Sequence, residues 1–170
     1  MLEVSIYNSQ DEQRFVSELK AMLTDAVFMC IGTEKVCSDS LGPRVGTLLN
    51  ENLNKSSFVY GLRESNITAE NLQYCYNFIK LLHPNSKIVV IDAAVGACDQ
   101  LGKVQICEGG IIPGAATNKN LPLVGDISIV GIVADKGMGD FYTLNSTKDR
   151  LVNQVAQFIA QSILVATKSA

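Results

Sequence analysis

The sequence predicts an α/β fold. Short apolar strands alternate with amphipathic helical stretches, and the strongest strand, residues 87–94, is β-branched, apolar and bounded by polar turns. Scale is the third observation. The chain has 170 residues, of which 47% are apolar and 18% charged, so one domain over 1–170 with a sizeable core is expected and bulk disorder is excluded.

The elements follow in order. Ser9 and Glu12 have the spacing of a capping box and open a helix to about Thr24, with Phe15, Leu19, Met22 and Leu23 as its buried stripe. Residues 26–31 read as a fully buried strand ending at Gly32. A polar loop, 33–40, leads into a helix with Leu41, Val45, Leu48, Leu49 and Leu53 on one face. Pro43 sits in its first turn, where a missing N–H costs nothing. Residues 58–62 form a second short strand. Thr68 is placed to cap a helix through Leu82, with Leu72, Cys75, Tyr76 and Ile79 inward. Residues 101–108 alternate Val104 and Ile106 with Lys103 and Gln105, which fits an edge or half-exposed strand and allows an antiparallel pairing. A Gly/Pro/Asn-rich loop covers 109–122, long enough to suggest function or disorder. Residues 127–133 are another buried strand, and a last helix from about Ser146 to Val165 turns Leu151, Val155, Phe158 and Ile159 inward.

The charge balance excludes some functions. With 17 acidic against 14 basic residues the net charge is −3, so direct nucleic-acid binding by phosphate neutralisation is not expected. No apolar run approaches the ~20 residues of a membrane span. The first residues lack the basic flank and apolar run of a signal peptide. A cytoplasmic protein without a membrane partner is therefore expected. The five cysteines, Cys30, Cys37, Cys75, Cys98 and Cys107, are odd in number and contain no C-x-x-C. They read as reduced thiols rather than disulfides or a zinc knuckle.

Ligands of open α/β sheets bind beyond the carboxyl ends of the strands, which here means loop 32–43 and residues 91–96. Asp92 follows Ile88, Val89, Val90 and Ile91, so its carboxylate leaves water at least in part. That costs free energy unless the group is paired or shares a proton, and it raises the pKa. The plainer role is to accept from loop amides or cap a turn. Asp39 alone reads as a helix N-cap, a role that suits Ser40 equally. If strands 26–31 and 87–94 are neighbours, Asp39 and Asp92 face one cleft. Two close carboxylates do not both ionise easily, which leaves an acid and a base to activate a water. The same pair could instead ligate a divalent cation.

Other candidates carry less. His83, the one histidine, lies at the amino end of strand 87–94, opposite the cleft, so Ser-His-Asp or Cys-His catalysis has little support. Cys37, two residues from Asp39, is a candidate reactive thiol, but it lacks a His or Cys partner of informative spacing. Glu34 and Lys35 read as a solvated loop pair. Gly32, Gly42 and Gly46 form neither a P-loop nor a dinucleotide fingerprint. Loop 112–119 offers small residues, an amide and an ammonium that could line a cleft and donate to a developing oxyanion, or it is an ordinary surface loop. Asp126, at the start of a buried strand, reads as a structural residue that holds this loop through amides or pairs with Lys119.

Gly32-Thr33, then Ser38-Asp39-Ser40-Leu41-Gly42-Pro43, Ile91-Asp92-Ala93, Pro113-Gly114 with Asn118-Lys119, and residues 124–129 occur in the order seen in the YyaC-like sporulation proteins of spore-forming Gram-positive bacteria. The chain resembles that family from about Cys30 to the last helix. The family is similar to the spore germination protease, which degrades small acid-soluble proteins coating spore DNA, and more distantly to hydrogenase maturation proteases. The resemblance implies a three-layer α/β/α sandwich, phosphorylase/hydrolase-like, whose mostly parallel central sheet carries an antiparallel strand. Asp39 and Asp92 match the two aspartates proposed as catalytic in the germination protease. The resemblance further implies a sporulation-associated peptidase of the cytoplasm, acting on a protein or peptide substrate such as a spore protein. Gly114, Asn118 and Lys119 would bind substrate or stabilise the oxyanion, with Asp126, Gly32 and Ser38 in support, and neither cofactor nor metal is expected. Hydrogenase maturation proteases hold nickel with two matching acidic positions and a histidine, and no histidine here matches. The chain is much shorter than the germination protease, so substrate specificity does not transfer. The rival readings are a non-catalytic binding or scaffolding protein on the same fold and a metal-dependent hydrolase. A homo-oligomer is compatible with either.

Overall fold

The longest apolar strand organises the molecule. In the computed structural model, which describes residues 1–54, 57–113, 121–136 and 145–168 (the side chains of 145–147 excepted), β4 (Lys87–Gly96) lies inside a six-stranded sheet. Residues 88–92 are consecutively buried because helices cover both faces of the sheet there, so no alternation of polar and apolar residues is needed. The strand order is β1 (Leu2–Ser5), β5 (Lys103–Glu108), β6 (Ile127–Asp135), β4, β2 (Ala26–Cys30) and β3 (Val59–Tyr60). The pairs β2–β3, β2–β4 and β4–β6 are parallel, whereas β5 runs antiparallel to both β1 and β6.

Three helices occupy one face. Phe15 and Leu19 of α1 (Ser9–Met22), Leu41, Val45 and Leu49 of α2 (Leu41–Asn52), and Val152, Val155, Ile159 and Ile163 of α4 (Asn145–Lys168) pack on Phe28, Val89, Ile91, Val104 and Ile129. On the other face α3 (Leu72–Leu82) places Leu72 and Ile79 against Val27, Met29, Ile88 and Val90. The result is the expected α/β/α sandwich with a mostly parallel sheet. Among the described residues no helix is long and apolar enough to cross a membrane.

Several local expectations change. The cap of α1 is Asn8, whose Oδ1 accepts from Gln10 N at 3.0 Å, not Ser9, and the helix stops at Met22. Thr68 does not cap α3. Its Oγ1 accepts from Glu70 N (3.3 Å) and its own N–H donates to Asn71 Oδ1 (2.7 Å), a turn that keeps the chain non-helical until Leu72. The strand at 58–62 shrinks to Val59–Tyr60 because Gly61 turns the backbone to φ +85°. β5 is half-exposed and antiparallel as its alternation implies, yet it is not at the edge. The edge on that side is β1, four residues with only Val4 buried, too short to show a pattern, and β3 is the edge on the other. Glu3 ties the two strands through Lys103 Nζ (3.0 Å) and Gln105 Nε2 (2.8 Å).

The junction between β2 and α2 is unusually close. A Cβ on Gly42 would lie 2.0 Å from Ile31 O and 2.7 Å from Ile31 N, so the first turn of α2 sits directly on the strand backbone. Gly42→Ala is expected to cost about 3 kcal/mol or more by overpacking against backbone that has nowhere to move. A lowered urea midpoint with an unchanged m-value checks this, and a loss under about 1 kcal/mol would show that the junction can relax.

Candidate active site

The carboxylates identified from sequence sit where two neighbouring strands end at different points. β2 stops at Cys30, opposite Ile91, with one further bond from Ile31 N to Ile91 O (2.8 Å). β4 does not end at Ala94 as expected but continues beside β6 to Gly96, with a register shift between Ala94 and Val95. Asp92 is thus the first residue of β4 without a β2 partner. Its side chain alternates onto the α3 face with Ile88 and Val90 and opens on the gap that β2 leaves. The gap is also the topological switch point, since the chain winds from β2 outward to β3 and then back past β2 to β4.

Asp39 reaches the same gap from the loop after β2. Gly32 has φ +141°, and a Cβ there would lie 2.0 Å from Asp39 O. The missing side chain lets the loop fold back, and Thr33 N donates to Asp39 O at 2.9 Å. Residues Cys37–Ser40 form a 3-10 turn leading into α2. Ser40 occupies the N-cap position without capping, because its Oγ donates to Cys37 O (2.6 Å). The N-cap position is therefore not Asp39, whose side chain lines the cleft. Ser38 lies half-buried in the 3-10 turn.

The cleft holds about 300 Å³ and is lined by Asp39, Asp92, Thr33, Lys35, Thr68 and Glu70, with Pro113 and Leu121 from the β5–β6 connection. Thr68 and Glu70 were not anticipated. They arrive through the isolated parallel bridge Ile31–Ile67 and the bond from Gly32 N to Ile67 O (2.8 Å), and a pairing this distant in sequence has no local signal. Lys35 and Glu34 do not form a solvated pair: Lys35 lines the cleft, whereas Glu34 bonds Arg63 at 3.0 Å and lies 3.9 Å from Arg44. Arg44 in turn pairs with Asp149 at 2.7 Å, so ions join this loop to α2 and α4. Gly114, Asn118 and Lys119 lie outside the described residues, although Pro113, which precedes them, lines the cleft.

Asp126 and His83 both lie away from the cleft, His83 before the amino end of β4 as the sequence predicts. Asp126 accepts from Ile88 N with Oδ2 and donates its own N–H to Ile88 O, both at 2.8 Å. These two bonds join the start of β6 to the amino end of β4, four residues before Asp92 and roughly 13 Å away along the strand, while Asp126 O accepts from Gly109 N (2.8 Å) where loop 109–122 begins. His83 ends α3, with Nε2 2.8 Å from Tyr60 Oη and its ring against Phe58.

Burial sets the electrostatics. Asp92 is pushed up to about 7, first by desolvation and further by the Asp39 charge, while the bond from Ala93 N to Oδ1 (2.8 Å) pulls the other way. Desolvation also raises Asp39, which is less deeply buried. Burial raises the Cys37 thiol as well, which disfavours the reactive thiolate weighed from its position beside Asp39. Because Asp92 has a higher pKa folded than unfolded, the folded chain holds a proton that the unfolded chain has lost between about pH 4 and 7. This group therefore favours folding fully below about pH 4, and that stability is lost by about pH 7. Asp92→Asn keeps the Oδ1 acceptor for Ala93 N and removes the titration. Thermal melts across this range should show the variant gaining on the wild type as pH rises, and parallel curves would refute the buried acid.

Comparison with known proteins came to the same fold. A solved structure titled as the [NiFe] hydrogenase maturation protease HycI from Thermococcus kodakarensis KOD1 superposes with a TM-score of 0.54 at 15% identity, covering 87% of this chain and 97% of that one. The nickel site that the hydrogenase-protease resemblance implies does not fit here. Asp39 and Asp92 converge, but the sole imidazole is at the far end of β4, and no group of three His, Cys, Asp or Glu among the described residues could hold a metal. In sequence, the Bacillus subtilis (strain 168) protein named "Uncharacterized protein YyaC" is 35% identical over 150 residues, 88% of this chain and 73% of that protein. Residues 3–162 match the family described as "Protein of unknown function (DUF1256)", and the chain belongs to that family.

Proposed function

We propose that this chain is a peptidase-type hydrolase in which Asp39 and Asp92 act on a peptide carbonyl as one proton-sharing pair. The observation that supports this most is the placement of two carboxylates from different elements in one cleft, with Asp92 poised near neutrality by burial and by Asp39. Near neutral pH the deeply buried Asp92 is the member that keeps the proton, and Asp39 is the carboxylate. Asp39 takes a proton from a water whose oxygen attacks the carbonyl carbon, and Asp92 gives its proton to the carbonyl oxygen. The tetrahedral intermediate then collapses. The C–N bond breaks, the amine leaves with a proton returned through Asp39, and Asp92 recovers its own from the former carbonyl oxygen.

Gly114, Asn118 and Lys119, one residue and more beyond Pro113, are proposed to bind the substrate chain or the oxyanion, and Gly32 and Ser38 to shape the turn that carries Asp39. Asp126 is proposed to support the same region at a distance, by fixing β6 to β4. The proposed setting is the cytoplasm of a sporulating cell or forespore, with a spore protein as substrate; this rests on the motif resemblance and on the Bacillus subtilis relative.

The test is incubation with a small acid-soluble spore protein from pH 4 to 8, followed by mass spectrometry. Discrete cleavage is expected, falling above about pH 7 as Asp92 loses its proton. Asp92→Asn and Asp39→Asn should each lower the rate about 10²-fold or more. Cleavage that survives in both variants would remove the pair from the chemistry. No cleavage at any pH would overturn the substrate assignment and favour a binding protein on this fold.

A further inference from the structure

Helix α3 is apolar on two faces. Leu72 and Ile79 bury into the sheet, with Cys75 and Tyr76 partly buried beside them. The opposite face carries Tyr74, Phe78, Leu81 and Leu82, which are 74%, 44%, 78% and 51% exposed. Tyr74 and Phe78 stack at 6.3 Å between ring centroids. Phe58, 48% exposed, extends the ridge through its contact with the ring of His83, the residue that ends the helix. Gln73, Asn77 and Lys80 make an exposed polar strip beside these faces, and the outer apolar face is in excess of the one stripe that a surface helix needs.

We infer that this face pairs two copies of the chain, α3 against α3, about a twofold axis beside Phe78. Three observations select a second copy as occupant. The middle line of the ridge is symmetric about Phe78: Tyr74 precedes it by four residues and Leu82 follows it by four. An antiparallel pair therefore sets Phe78 on its own counterpart and Tyr74 on Leu82 of the second copy, the self-complementarity an isologous interface requires. The ridge is uncharged. The one charged residue of α3 is Lys80, and its Nζ lies 5.4 Å over the Tyr76 ring, so no like charges are pressed together. The area also suffices. At these exposures the five side chains present on the order of 600 Å² per copy, taking ~200 Å² for each fully exposed. Two copies would bury roughly 1,200 Å², the lower end of specific interfaces, and the roughly 600 Å² on each copy is at the top of what a monomer usually leaves in water.

The seam begins four residues after Glu70, which lines the cleft, so a pair joined here would hold its two clefts in a fixed relation. The pairing does not depend on hydrolysis and is tested without it.

Sedimentation equilibrium of the full chain, from roughly 1 to 200 μM, should show a monomer–dimer equilibrium with dimer at the upper end. Phe78→Glu and Phe78→Lys should each be monomeric with an unchanged melting temperature, since each meets its own charge at the axis. An equimolar mixture of the two should dimerise again. Leu81→Asp, at the most exposed position of the ridge, should weaken the dimer at least about tenfold and serves if the Phe78 variants fold poorly. A wild-type monomer throughout the range would overturn the inference, as would a Phe78→Glu dimer as tight as wild type. Two monomeric Phe78 variants that fail to associate when mixed would overturn the twofold axis at this residue.

Discussion

The candidate site depends on the contact of two backbones at the carboxyl end of β2. Gly42 lets the first turn of α2 rest on Ile31, and Gly32 lets the carbonyl of Asp39 close on the loop that leaves the strand. A side chain at either position would hold these segments apart by more than an ångström. Within ten residues the chain thus leaves the sheet, makes a 3-10 turn and enters a helix packed on that same strand. Asp39 is held against the end of the strand rather than on the outer surface of the helix, and Ser40, turned back onto Cys37, occupies the N-cap position in its place.

The second constraint is a difference in strand length. β2 ends while β4 runs on beside β6, so a carboxylate in the middle of a long strand meets a gap on one side and packed sheet on the other. Burial favours the neutral acid, and the nearby Asp39 charge adds to that preference, whereas a single amide bond opposes it. The two groups become unequal for structural reasons: one is almost wholly enclosed and the other is not. The opposite end of the same strands uses its polar residues differently. Asp126 bonds the backbone of β4, and His83 bonds a tyrosine of the edge strand.

The two faces of the sheet are unequally covered. Three helices share one face, and the other has α3, whose outer side remains apolar. A six-stranded sheet with one helix on a face has room there for a cleft, and the cleft lies at the segment leading into α3. The same imbalance accounts for the exposed aromatic ridge, because nothing in the described chain packs over α3 as α4 packs over α1 and α2.

The sequence by itself determined the features that rest on local pattern. The apolar runs of β2, β4 and β6, the stripes of α1 and α2, and the odd isolation of Asp92 after four apolar residues were all legible, because burial on both faces makes a strand apolar almost throughout and burial on one side gives a helix its stripe. The tertiary structure decided everything that depends on pairing between distant segments. β1 is too short to declare itself and exists because β5 offers it a partner. Thr68 and Glu70 reach the cleft only through the bridge from Ile67 to Ile31, and Lys35 parts from Glu34 because Arg63 and Arg44 draw the latter away. Asp39 reads in the sequence as a helix cap or as a cleft residue, since both places are open to a residue just before a helix. The choice fell to the glycine-permitted contact of α2 with β2, a through-space event that no window of the sequence contains.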